Sequence, residues 1–389
     1  MNVLEYFGFE RLFVSIVKNE FMNITGKITG IKYKIFLAED LETIDINKFN
    51  INNVTPFCLV KDGKHSFAVS KWVSPKRTRS YPYERVYNTL NISKKITVIP
   101  IIKDEGFDGD RDFVQWDTVS LMSLLDVFVI FAYYDKAVKH PDYDNKVTDF
   151  QFDNKYVISK IKEIKQYHSS ALHWNLNELK NNLHNIIDKT KRYYSKIEKQ
   201  TGVRLHNESG IDNFKNKIGK DVSLFMQFSR EKAEKAQSRE MVTTQPKESL
   251  STLTKAKITI TNYLGGQYFF TVDEVDELKN LICLIECKHS KNALLPSVGD
   301  IKDGLLKMIL FSNLTNVTAD RRKTKSVAVL KLTSPKIKEK TMLFSDTVPK
   351  YREIFYEENN FSKSQIEFVE RLIEEAKENK FVIHICNSK

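Results

Sequence analysis

The spacing of apolar positions along the chain changes twice, and each change marks a different kind of structure. Up to about residue 70, short apolar runs at 31–37 and 57–60 are separated by Gly26, Gly30 and Asp62-Gly63, the pattern of strands joined by turns. Residues 96–102 (ITVIPII) predict a strand, with Pro100 expected at an edge or a bulge because it has no N–H to give a ladder. The apolar block 114–134 predicts a helix through Leu125 and then a buried strand, VFVIFAYY, rich in β-branched and aromatic residues.

From Leu172 the period becomes helical. Leu172, Leu176, Leu179, Leu183, Ile186, Tyr194 and Ile197 recur mostly at three- and four-residue steps, which predicts one long amphipathic helix stopped by Gly202. Val157, Ile158, Ile161 and Ile164 predict a preceding helix that packs on it. Residues 229–249 are polar and charged, as in an exposed helix or a linker. The last third alternates strands (268–275, 281–288, 326–332, 381–386) with helices (300–314 and 362–379, the second capped by Ser362 or Ser364). That order predicts an α/β (α+β) layer with a mixed sheet flanked by helices. The expected organisation is a mixed α/β region at 1–150, a helical region at 151–235, and a third region at 236–389.

Composition narrows the partners. Lys and Arg number 61 against 50 Asp and Glu, a net charge of +11, which favours an anionic partner, nucleic acid ahead of a membrane surface. A lysine- and asparagine-rich chain also follows from AT-rich coding, so charge alone does not decide. The 41% hydrophobic and 11% aromatic content excludes wholesale disorder. Cys58, Cys283, Cys287 and Cys386 form no CxxC pair and are too scattered for a disulfide framework, which fits a reducing cytoplasm. Glu5, Glu10 and Arg11 interrupt the apolar N-terminus, so no signal peptide is expected. The longest apolar run, 119–134, is shorter than a bilayer span and contains Asp126, so it reads as core.

One stretch, FFTVDEVDELKNLICLIECKHS, brings acids together at the end of apolar strands. Its Glu286-Cys287-Lys288 tripeptide means little alone, since composition gives about eight D/E-x-K/R tripeptides by chance. A two-residue turn at Lys279-Asn280 changes that. It sets Leu278 opposite Leu281 and therefore Asp273 opposite Glu286, on one face of an antiparallel pair. Lys288, two residues on, shares that face, whereas Asp276 has the wrong parity. A one-residue slip would substitute Asp276 or Glu274 for Asp273. Two adjacent carboxylates repel and are costly to desolvate, and a hard cation such as Mg²⁺ resolves the conflict. The backbone carbonyl of Cys287 is a further candidate ligand. The bland alternative is a structural hairpin with a Glu286–Lys288 surface ion pair.

Asp273, Glu286-Cys287-Lys288, the preceding apolar strand and the following helix resemble the PD-(D/E)xK nuclease superfamily, which includes type II restriction endonucleases, junction resolvases and repair nucleases. The match covers about residues 268–332, and Val272 stands where the family pattern has proline. Further segments, KWVSPKRTRSYPYERVY among them, look like parts of larger restriction enzymes. The resemblance implies a restriction-endonuclease-like mixed sheet, Asp273 and Glu286 as Mg²⁺ ligands, and Lys288 as the water-activating lysine. The implied activity is sequence-specific cleavage of double-stranded DNA to 5′-phosphate and 3′-hydroxyl ends, by a homodimer because two strands need two sites. The alternatives are a structure-specific or repair nuclease of the same superfamily, or a non-enzymatic DNA-binding protein.

The segment 71–87 concentrates Lys71, Lys76, Arg77, Arg79 and Arg85 with Trp72, Tyr81 and Tyr83, a basic and aromatic set suited to DNA contact. Lys291, Lys302 and Lys307 could add backbone contacts near the cut. Asp108, Asp110 and Asp112 open like a calcium loop, but Phe113 and Val119 occupy the positions that need Gly and Glu, so a capping or solvated loop is expected. His168, His173 and His184 lack the HExxH spacing of a zinc enzyme, and no P-loop or GxGxxG is present.

Overall fold

The computed structural model describes residues 22–76, 82–218, 222–242, 254–278 and 281–388. The chain forms two compact units, Ala38–Lys232 and a second made of Met1–Leu37 with Ala233–Lys389. The boundary expected at residue 150 is not one: the mixed region from residue 38 and the helical region that follows it share a single unit. Among the described residues no helix is long and apolar enough to cross a membrane.

After β1 (Met22–Ile28), the chain builds the first unit from β2 (Thr43–Asp45), β3 (Phe57–Asp62), β4 (His65–Lys71), α1 (Pro82–Tyr87) and β5 (Lys95–Pro100). There follow β6 (Ile102–Asp104), β7 (Arg111–Phe113), α2 (Trp116–Leu124), β8 (Val127–Ala132), β9 (Tyr134–Lys139) and β10 (Val147–Phe152). The helices α3 (Asn154–Lys165), α4 (Ala171–Asn181), α5 (Leu183–Thr201), α6 (Ser209–Ile218) and the first half of α7 (Val222–Val242), which runs on past Lys232, complete the run. The main sheet has the order β2-β3-β4-β5-β8, and β6-β7 and β9-β10 are separate hairpins. Pro100 is the last residue of β5, paired with Ala132, beyond the point where β4 ends with Lys71 opposite Val98, so its missing N–H breaks no ladder.

Strand β8 ends the sheet but is buried on both faces. Its open edge is sealed by side chains of α4: Asn175 accepts from Val129 N at 2.7 Å and donates to Val127 O at 3.0 Å, and Trp174 Nε1 donates to Val129 O at 2.9 Å. Side chains thus satisfy the backbone groups that another strand would have paired. The single long helix expected over 172–197 is two helices, α4 and α5, parted at Asn182. The Gly202 stop is observed, left-handed at φ 66°.

The second unit continues with β11 (Thr254–Asn262), β12 (Gln267–Leu278), β13 (Leu281–His289), α8 (Val298–Ser312), β14 (Thr315–Ala319), β15 (Arg322–Lys323) and β16 (Lys325–Thr333). It closes with β17 (Met342–Phe344), α9 (Pro349–Glu358), α10 (Lys363–Asn379) and β18 (Val382–Cys386). Together with β1 these strands form a nine-stranded mixed sheet, order β15-β14-β1-β11-β12-β13-β16-β18-β17. The α/β class with a mixed sheet is therefore as expected. Helix α10 carries the full capping box, Ser362 with Gln365.

Two N-terminal expectations fail. Gly26 is not a turn but lies inside β1, which pairs in parallel with β11; there a Cβ would come within 2.9 Å of Leu314 Cδ2. Residues 31–37 form no strand. The buried Glu375 of α10 holds them instead, accepting from Tyr33 OH and from the backbone N–H of Phe36 and Leu37.

Candidate active site

The hairpin β12–β13 has the register deduced above. Leu278 opposes Leu281 and the ladder runs to Glu274 opposite Ile285, ending one residue short of Asp273 and Glu286. The turn residues Lys279 and Asn280 themselves lie outside the described residues. Towards β11, the register of β12 shifts by one residue between Ala256↔Val272 and Thr254↔Val275, a bulge that contains Asp273 and Glu274. Bulges re-aim side chains beside functional sites. Here the Asp273 carboxylate turns to take the Cys287 backbone N–H at 2.9 Å.

Glu286 is the centre of the cluster. It is 2% exposed, yet each carboxylate oxygen has an ammonium partner: Lys288 Nζ at 3.1 Å from Oε1 and Lys307 Nζ at 2.7 Å from Oε2. Lys288 also reaches Asp303 Oδ2 at 3.2 Å. Asp303 and Lys307 both come from α8, one helical turn apart and so on one face. Gly304 lies between them, and a Cβ there would stand 2.8 Å from Leu330 Cδ1 and 3.1 Å from Lys288 Cε. Its lack of a side chain lets the helix approach Lys288.

The electrostatics divide the two carboxylates. Burial and the neighbouring Glu286 charge push Asp273 up to about 7, against the opposing pull of Lys307, the Cys287 amide and Lys288. Burial acts on Glu286 in the same direction, but Lys307 and Lys288 outweigh it and hold Glu286 below its ordinary value. Burial tends to lower the two lysines; Glu286 and Asp303 raise Lys288, and Glu286 and Asp273 foremost raise Lys307. Three carboxylates therefore face two ammonium groups, and the imbalance falls on Asp273. Near neutral pH it is poised between a proton and a cation.

Among the described residues no group of three or more His, Cys, Asp or Glu is arranged to hold a metal ion. The donor set is smaller: two carboxylates on one face, with the Cys287 backbone beside them. Mg²⁺ binds with one or two carboxylates plus waters and phosphate oxygens, so Asp273 and Glu286 fit it in number and kind. Because both oxygens of Glu286 are held by lysines, a cation would exchange with an ammonium group there.

The opposite face of the sheet is distinct. Glu274 pairs with Lys331 at 2.7 Å, and burial followed by the Glu274 charge raises Asp276, so neither belongs to the Asp273 cluster. The Cys287 thiol is raised by burial and by Glu274, and His289 Nδ1 meets Thr333 Oγ1 at 3.1 Å.

The basic and aromatic segment lies in the unit Ala38–Lys232, and most of it is structural. Trp72 is fully buried and Tyr83 is 6% exposed, so both are core rather than DNA contacts. Lys71 Nζ donates to Ile51 O at 2.8 Å and Val54 O at 2.7 Å, and Arg85 Nη1 donates to Lys71 O at 2.6 Å. These cations tie loops together, because a carbonyl leaving a sheet needs a donor. Lys76 pairs with the buried Asp112 at 2.5 Å, and Ser74 Oγ donates to the same carboxylate, which makes Asp112 structural. Arg77, Arg79 and Tyr81 lie outside the described residues. Lys302 is buried, while Lys307 belongs to the carboxylate cluster; the signal for it was the Asp303–Lys307 spacing on the helix after the second strand.

Comparison with protein-family models, with curated proteins and with solved structures found no match for this chain.

Proposed function

We propose that the chain is a Mg²⁺-dependent endonuclease of the PD-(D/E)xK type that hydrolyses phosphodiester bonds of double-stranded DNA. The observation that supports it most is the convergence of Asp273, Glu286 and Lys288 on one face of a hairpin, with Asp273 pushed up to about 7 by its burial beside Glu286. An idle surface ion pair would not bury a carboxylate to 2% exposure between two lysines.

Asp273 and Glu286 would hold the cation, with the Cys287 carbonyl as a further ligand. When bound, Mg²⁺ supplies a lowered pKa for a coordinated water and positive charge beside the phosphate. Lys288 orients the attacking water and stabilises negative charge developing on the phosphate oxygens. Lys307 keeps Glu286 ionised and Asp303 keeps Lys288 in place, so both position the reacting groups. In-line attack leaves a 5′-phosphate and a 3′-hydroxyl. The finer reading is a restriction-endonuclease-like fold acting on specific sites as a homodimer, in the cytoplasm.

Incubation of unmodified plasmid and phage DNA with Mg²⁺ tests the proposal. Discrete fragments with 5′-phosphate ends are expected, and none with EDTA or with Glu286→Ala or Lys288→Ala. Full cleavage by either variant overturns the site. Cleavage confined to branched substrates transfers the reading to a structure-specific nuclease, and salt-sensitive binding without cleavage leaves a DNA-binding protein.

A further inference from the structure

The unit Ala38–Lys232 contains a cleft of about 480 Å³ between the bulged strand β10, the end of β4 and the loop 140–146. Its size is that of small-molecule clefts, about 300–1,000 Å³. Two kinds of group line it. Tyr134, Tyr143 and Phe150 present rings, and cations stand over two of them: Lys103 Nζ is 5.0 Å from the Phe150 ring centre and Lys146 Nζ 4.8 Å from that of Tyr143. Lys71 is a third cation on the lining, its ammonium already held by the Ile51 and Val54 carbonyls. Its neighbour Arg85 is also largely buried, and neither is in an ion pair among the described residues.

The backbone is shaped for the cleft. The register between β9 and β10 slips between Thr148↔Val138 and Gln151↔Lys136, so Asp149 and Phe150 face the single residue Ala137. Asp149 sits at φ 50°, a left-handed conformation that a non-glycine residue adopts at a cost. Such a bulge frees Phe150 and Asp149 from regular alternation and turns them to the lining. The same bulge also packs Phe150 on Tyr134, with 4.9 Å between ring centres.

We infer that this cleft binds a single nucleotide, its base against Phe150 and Tyr143 and its phosphate towards Lys146. Rings beside cations favour a flat aromatic group that carries negative charge, by stacking and cation–π attraction. The carboxylate of Asp149 on the same lining adds an acceptor for an exocyclic amino group of a base. A phosphate alone would make no use of the rings, and an uncharged ring would make no use of the Lys146 ammonium; Lys103 is already paired with Glu105 at 2.9 Å. The nucleotide has two sources with the same chemistry: a free nucleoside monophosphate, or a nucleotide turned out of a DNA strand. The cleft shares no residue with the Asp273 cluster, so the inference stands apart from the catalytic reading, and only its DNA source rests on that reading.

The test uses the full chain carrying Glu286→Ala, so that Mg²⁺ and DNA are tolerated whether or not the cluster cleaves. Calorimetric titration compares the four deoxynucleoside monophosphates with inorganic phosphate and with the nucleosides. At least one monophosphate should bind about tenfold more tightly than either half, and Tyr143→Ala or Lys146→Ala should weaken it about tenfold. Both side chains are on a surface loop, and unchanged melting temperatures verify that the variants fold. A duplex with one bulged 2-aminopurine nucleotide separates the sources. A fluorescence change on binding that free monophosphate and both variants abolish assigns the DNA strand, and monophosphate binding without that change assigns the free nucleotide. No monophosphate binding together with no 2-aminopurine response overturns the inference.

Discussion

Replacing Lys307 with methionine tests whether charge balance is what organises the carboxylate cluster. Methionine keeps the length and apolar stem of the lysine and removes one cation from a group of three carboxylates and two ammoniums. Glu286, 2% exposed, then retains only Lys288 at 3.1 Å. Breaking a buried pair by removing one partner costs about 3–5 kcal/mol, and because Lys288 remains, the lower end, about 3 kcal/mol, is expected. For a unit of this size that corresponds to a fall of roughly 6–12 °C in melting temperature. The decisive comparison adds Mg²⁺. A divalent cation restores the missing charge, so Mg²⁺ should raise the melting temperature of Lys307→Met more than that of the unmodified protein. Asp273→Asn, which removes a ligand, should erase the Mg²⁺ effect in both backgrounds. Differential scanning calorimetry with Mg²⁺ and with EDTA reads all of these states. If Lys307→Met melts with the unmodified protein, or if Mg²⁺ shifts every variant equally, the charge argument is wrong.

Two further outcomes check the packing around this cluster and behind it. Gly304→Ala should gain about 1 kcal/mol of helix propensity in an open helix, but its Cβ would meet Leu330 and Lys288. Single-turnover cleavage should therefore fall about tenfold or more with no gain in the denaturant midpoint, and an unchanged rate would show that Lys288 needs no such fit. On the other face, burial and then Lys331 push His384 down to about 3, so it stays neutral in the fold while the unfolded chain protonates near 6.5. Stability should thus decrease as pH falls from about 6.5 towards 3, by up to roughly 1.4 kcal/mol per pH unit. His384→Phe keeps the stack on Phe344 and should remove that slope from urea titrations between pH 7 and 4.5; an unaltered slope would place the dependence elsewhere.

What could be read from the sequence follows the range over which each signal acts. The register of β12 and β13 was legible because a two-residue turn leaves few ways to pair its flanks, and a period of two then assigns every side chain to a face. The pairing of β1 with β11 was not. Met22 and Ala256 meet across more than half of the chain, and β1 (MNITGKI) is too polar, with turn-forming Gly26 inside it, for its alternation to stand out. The 71–87 segment misled for a different reason. Composition cannot separate a cation displayed to solvent from one that ties carbonyls together, and Lys71, Trp72, Tyr83 and Arg85 are all of the second kind or core.

The lysine on α8 shows where a local motif stops. A helical period tells which residues of α8 share a face, but not which face of the sheet that stripe covers. Only the parallel pairing of β13 with β16, and the crossover through α8 that joins them, brings Asp303 and Lys307 to the side of Glu286 rather than to that of Glu274. A right-handed crossover is the strong default for such a unit. The hairpin register, the helix stripe and that handedness together would have placed Lys307 beside Glu286. A sheet with two acidic pairs at the same strand ends, Asp273 with Glu286 on one face and Glu274 with Asp276 on the other, becomes a one-sided site for a topological reason. The crossover helix delivers Lys307 to one face and leaves the other to Lys331.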